Sequence, residues 1–134
     1  DPKQVNFALA CGLRFELEVR YRPDVDTIRQ QAGSELRDYF RSVSLLRDRY
    51  WDLLGSGTFQ DTDGVVNDNP AISATVFSHE NRLAVVLWNK SGEEQPVHIT
   101  VPGKTFREAA NIDGPLSSVP VRLKPQQVAV AIYQ

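Results

Sequence analysis

The feature that most constrains this chain is a change of hydrophobic period at Asn67-Asp68-Asn69-Pro70. Before it, apolar residues recur mainly at three- and four-residue steps; after it, they come in short β-rich runs parted by Gly, Pro and Asn. Two periods in two blocks predict an α+β chain: an N-terminal helix-strand-helix segment over 1–64, then an antiparallel β-sandwich over 65–134. Charge does not change at the join. Residues 1–64 hold 9 Lys/Arg and 11 Asp/Glu, the remainder 6 and 6.

In the first block, Pro2 to Cys11 reads as a short helix, with Phe7, Ala10 and Cys11 on one face and Gly12 as a left-handed C-cap. Leu13, Phe15, Leu17, Val19 and Tyr21 alternate with charged residues, as in a strand with one apolar face, until Pro23 stops it. Asp24 and Asp26 are candidate N-caps for a preliminary turn around Ile28 and Ala32. From Ser34 to Leu54 a long helix follows. Its stripe is Leu36, Tyr39, Phe40, Val43, Leu46, Tyr50, Leu53 and Leu54, and Gly55 and Gly57 end it. Such a stripe needs a partner surface, because propensity alone seldom holds a helix in water.

The second block reads as six strands: Ala71–His79, Leu83–Asn89, Pro96–Val101, Phe106–Ile112, Val119–Leu123 and Val128–Tyr133. Turn residues separate them, and strands at this spacing predict a sandwich.

Composition narrows the function classes. A formal net charge of −2 with mixed signs excludes the basic stripe of a nucleic-acid binder. No apolar run approaches the roughly 20 residues of a spanning helix, so no membrane partner is expected. One cysteine rules out an internal disulfide and a cysteine-built zinc site, and leaves the redox compartment open. Methionine is absent even at position 1, which predicts a processed chain or a piece of a longer one.

Two segments carry a resemblance: Leu83-Ala84-Val85-Val86-Leu87-Trp88-Asn89 and Leu123-Lys124-Pro125-Gln126-Gln127-Val128-Ala129-Val130. With Gly12-Leu13-Arg14-Phe15, Leu46-Arg47-Asp48-Arg49-Tyr50 and Gly57-Thr58-Phe59-Gln60-Asp61 before them, the order resembles the C-terminal end of a (β/α)8-barrel glycoside hydrolase of the α-galactosidase-like group, with its β-sandwich domain. The resemblance implies that residues 1–64 are the last strand and helices of a barrel. It implies a structural accessory region, with the remainder of the parent enzyme as partner and carbohydrate as the parent's substrate. Catalytic carboxylates in such enzymes stand at the C-terminal ends of barrel strands, most of which lie outside this sequence. No catalytic residue is therefore assigned.

Candidate substrate-binding residues are Arg14, Glu16 and Glu18. On a strand the two glutamates share a face about 6.6 Å apart, within the roughly 5–9.5 Å that glycoside hydrolysis uses. The same residues also make an Arg–Glu ladder with no substrate. Asp61-Thr62-Asp63-Gly64 offers oxygen ligands of the kind calcium takes, but its glycine comes too early for a twelve-residue calcium loop; it reads as a polar linker. No metal or cofactor is expected.

His79 and His98 stand in separate strands, and alternation with Val97 and Ile99 points His98 to solvent. Cys11 reads as a small buried hydrophobe. Trp51, Trp88, Tyr21, Tyr50 and Tyr133 can stack on sugar rings, whereas Trp51 and Trp88 also suit packing between helix and sandwich. Two rival readings follow. A carbohydrate-binding module would show an exposed aromatic platform. A self-associating domain would cover the 34–54 helix with a second copy, and a helix packed on its own sandwich would leave a monomer.

Overall fold

The computed structural model describes residues 1–15 and 31–134. Helix α1 (Pro2–Ala10) starts where the Asp1 carboxylate accepts from the Lys3 N–H at 3.0 Å. Its end follows from Gly12, whose φ of +66° turns the chain left-handed. The Gly12 N–H then reaches Leu9 O at 3.3 Å and the Leu13 N–H reaches Ala8 O at 2.9 Å, so the last carbonyls are satisfied. The face α1 buries is Val5, Asn6, Leu9 and Ala10. Phe7 is half exposed and Cys11 only partly covered, which corrects the expected face by about one residue step.

The long helix is two helices. Helix α2 (Gln31–Arg49) stops at Tyr50, whose backbone (φ −119°, ψ 37°) leaves the helical region, and α3 (Trp51–Leu54) follows. The Tyr50 carbonyl accepts from both Leu53 and Leu54, which starts the new helix. The expected strand over 13–21 lies, from Glu16 on, outside the described residues, as do Tyr21, Asp24, Asp26 and Ile28.

A six-stranded antiparallel sheet forms the middle of the molecule. Its strands are β1 (Thr58–Phe59), β3 (Ile72–His79), β4 (Arg82–Asn89), β7 (Phe106–Asn111), β8 (Gly114–Leu116) and β10 (Val128–Tyr133), in the order β1-β3-β4-β10-β7-β8. Two short ladders accompany it: β2 (Val66–Asn67) with β6 (Ile99–Thr100), and β5 (Gln95–Pro96) with β9 (Arg122–Leu123). The expected strand Pro96–Val101 is therefore broken in two. Its ends pair with different neighbours, and Pro96 brings no N–H to a continuous ladder.

Period-two alternation sends successive side chains of the sheet to opposite faces. Phe77, Ala84, Val86, Trp88, Ala110, Val128, Val130 and Ile132 meet Val5, Leu9, Val43, Leu46, Tyr50, Leu53 and Leu54 of the helices. Ile72, Ala74, Val76, Leu83, Val85, Leu87, Ala129, Ala131 and Tyr133 meet Val97, Val101 and Leu123 on the other side. The chain is thus α+β, with a helical layer on one face of the sheet and the short ladders on the other. Strands β4 and β10 are covered on both faces, which explains why β4 reads as an unbroken apolar run and why β10 interleaves valines with alanines.

Candidate functional site

Of the three residues the sequence nominates, Arg14 is described and exposed; Glu16 and Glu18 lie outside the described residues. Arg14 and Phe15 follow the C-cap of α1 and, with Asp1, Gln4, Val5, Ala8, Leu36 and Phe40, line a cavity of about 130 Å³ between α1 and α2. Phe15 packs its ring against Phe40, centroids 5.5 Å apart.

On the other side of Phe15 stands Arg47. Its guanidinium carbon lies 3.8 Å from the Phe15 centroid and 5.3 Å from that of Trp51. One guanidinium nitrogen donates to Leu13 O at 3.4 Å, while the Nε–H is buried and meets no acceptor among the described residues. Burial pulls the Arg47 pKa below the ordinary guanidinium value, and neighbouring Asp48 opposes the shift. Trp51 is 49% exposed, which corrects its expected place between helix and sandwich. Its ring lies over Gly55, where an added Cβ would fall 2.2 Å from a ring carbon.

Trp88, Tyr50 and Tyr133 are buried. Among the described residues that read as sugar-stacking candidates, Trp51 alone turns a ring to solvent. His79 is exposed beside Glu80 at 4.0 Å, and His98 is exposed as alternation placed it. Among the described residues, no three His, Cys, Asp or Glu side chains gather as metal ligands, and no helix is long and apolar enough to cross a membrane.

The two resemblance segments meet in a buried polar knot. Gln126 takes a left-handed φ of +60° at the turn before β10. Its side-chain oxygen accepts from Trp88 Nε1 at 3.0 Å, and its backbone carbonyl accepts from Asn6 Nδ2 of α1 at 2.8 Å. Asn6 is fully buried, and its oxygen accepts from the Tyr39 hydroxyl of α2. Next to Trp88, fully buried Asn89 donates through Nδ2 to Glu93 O at 2.7 Å, Leu123 O at 2.9 Å and Lys124 O at 3.1 Å. Its Oδ1 accepts from the Ser91 N–H and hydroxyl at 2.9 and 2.7 Å. These amides fasten the sheet, helices α1 and α2 and the loop before β10 together. Asn6 carries no local mark of a polar partner 120 residues away, and Tyr39 reads from the sequence only as part of the apolar stripe, its hydroxyl meeting a residue 33 positions earlier.

No family model matches the sequence, and no curated protein does. Among solved structures, the fold is similar to trehalose-6-phosphate hydrolase of Bacillus licheniformis. A mutant form in complex with PNG shares 17% identity at a TM-score of 0.48, and another structure of that enzyme shares 19% at 0.45. In each case 72% of this chain is covered against 18% of the other, so this chain spans about a fifth of the proteins it resembles.

Proposed function

We propose that this chain is the C-terminal accessory region of a glycoside hydrolase, structural and not catalytic alone, with O-glycosyl bond hydrolysis performed by the rest of the parent enzyme. One observation carries the reading. The Trp88-Asn89 strand end and the Leu123-x-Pro125-Gln126 turn, which bear the resemblance, lock a helical layer onto a sheet through Asn6, Gln126 and Tyr39. That arrangement suits a scaffold, since its polar groups are engaged in holding layers together. The division at residue 64 belongs to this proposal, residues 1–64 supplying the helices and β1, and residues 65–134 the rest of the sheet and its ladders.

The test is the mass and activity of the native polypeptide that carries this sequence. A barrel adds about 250 residues, so the species should be several times the 15.0 kDa of this chain and should hydrolyse at least one member of a panel of nitrophenyl glycosides. Asn6→Ala in that protein should lower its Tm and leave kcat unchanged. A native species of this length, or a long one inactive on the whole panel, refutes the proposal.

Trp51 favours glycan binding as a second reading, because its exposed ring stands beside the Arg47 guanidinium. Tryptophan fluorescence should then change on adding oligosaccharides, and W51A should abolish the change.

A further inference from the structure

The apolar stripe of α2 is covered by the chain's own sheet through Val43 and Leu46, which overturns the expected pairing of two copies through that stripe and leaves the opposite, charged side facing outward. There Asp38, Arg41, Leu45, Asp48 and Arg49 are all exposed, Leu45 at 59%. Helical spacing sets them along one side of the helix. Within α2, Arg41 follows Arg37 by four residues, and like charges one turn apart repel. Asp48 and Asp52 stand on either side of the break at Tyr50. Among the described residues, Arg41, Asp48 and Arg49 make no ion pair, whereas Asp52 is held by Arg82 and Asp38 lies 3.4 Å from Arg37.

This order of charges is its own complement when reversed. Turned end for end about an axis between Ser44 and Leu45, residue 41 of one helix stands opposite residue 48 of the other, and the reverse. Residues 38 and 49 come within two positions of facing each other. Arg41 and Asp48 each then gain an opposite charge. Beside Leu45 lies a groove of about 250 Å³ floored by Leu46 and Ile112, the latter itself 37% exposed, wide enough to receive a leucine side chain.

We propose that the chain self-associates through this face, as an antiparallel two-fold pair of α2 helices. Arg41 of each copy meets Asp48 of the other, and Leu45 enters the groove beside Ile112. The inference stands apart from the glycosidase reading, since it uses the charged side of α2 and neither the polar knot nor any catalytic group. Nineteen residues make a helix about 28 Å long. One helix face falls short of the roughly 800 Å² per partner of a standard complex, so the dimer is weak and salt-sensitive.

Sedimentation equilibrium of the native polypeptide tests this, run from micromolar to millimolar concentration in low salt and in molar salt. Dimer is expected at the upper concentrations in low salt, and molar salt should weaken it by about tenfold or more. R41D and D48R should each weaken it by about tenfold, since each sets two like charges face to face in a two-fold pair. The double variant R41D/D48R restores both contacts and should dimerise like the parent sequence. Both positions are exposed, so Tm should hold within a few degrees in all three. A monomer at every concentration, singles that associate normally, or a double variant no better than either single overturns the proposal.

Discussion

Asn89 gives the sharpest test of the buried polar knot. Five hydrogen bonds run through its amide, three from Nδ2 to Glu93, Leu123 and Lys124 carbonyls and two into Oδ1 from Ser91. Asn89→Ala removes all five and strands a carbonyl of Leu123, itself a fully buried residue. Ser91 and Glu93 stand near solvent and can find water, so the two bonds to the Leu123 and Lys124 carbonyls, at roughly 1 kcal/mol each, are lost outright, for about 2 kcal/mol. Unfolding entropy near 2.1 cal/mol/K per residue turns that into a fall in Tm of about 7 °C.

Asn89→Asp distinguishes hydrogen bonding from packing, since the shape is kept while a carboxylate faces three carbonyls. The folded state then favours the protonated acid, so the Asp pKa in the fold rises above its unfolded value of about 3.9. Below that pH the variant carries no charge penalty. Above it the unfolded chain ionises first, and stability relative to Asn89 should fall by about 1.4 kcal/mol per pH unit until the raised folded pKa is reached. Urea melts of wild type, N89A and N89D at pH 4, 5.5 and 7 (about these values, chosen to bracket that window) read both effects. A cost under about 1 kcal/mol for N89A, or an N89D penalty that stays flat as pH rises, would refute the reasoning.

Three further outcomes can be checked together. Tyr39→Phe leaves the buried Asn6 oxygen without its donor and should cost about 1–2 kcal/mol by chemical denaturation. Leu53→Ala, at a fully buried position of α3 against the sheet, should cost about 3 kcal/mol through the cavity it leaves. Burial holds the Tyr39, Tyr50 and Tyr133 phenols above their ordinary value, with Glu108 adding to the effect at Tyr50. In the unfolded chain these phenols ionise near 10, so the stability they contribute is intact below that pH and is lost as pH rises through their raised folded values. Absorbance at alkaline pH should therefore show Tyr ionisation and unfolding moving together, and the triple phenylalanine variant should shift that transition upward.

Period and turn chemistry made most of the elements legible. Helix α1 and strands β3, β4, β7 and β10 appear within a residue or two of their expected bounds, because amphipathic periods record which face each element buries, while α2 starts three residues before the expected Ser34. Local signals sufficed for the Gly12 cap as well. The short elements β1, β2 and β8 were not legible: two or three residues hold no period, and Pro115 in β8 argues locally against a strand. The candidate site was readable only in part. Arg14 is exposed beside a small cavity, and Trp51, which the apolar stripe of the helix leaves out, is exposed and not packed between helix and sheet.

What the sequence alone determined is the longer elements and most of their apolar faces, since both follow from interactions within about one turn or one hairpin. Tertiary structure decided how those faces are shared. The alanines of β10 are buried only because the short ladders cover that side, and Asn6 is tolerated on an apolar helix face only because Gln126 and Tyr39 arrive from distant parts of the chain. A buried amide is stable when its partners are present and costly when they are not, and the partners come into reach only after the layers have packed.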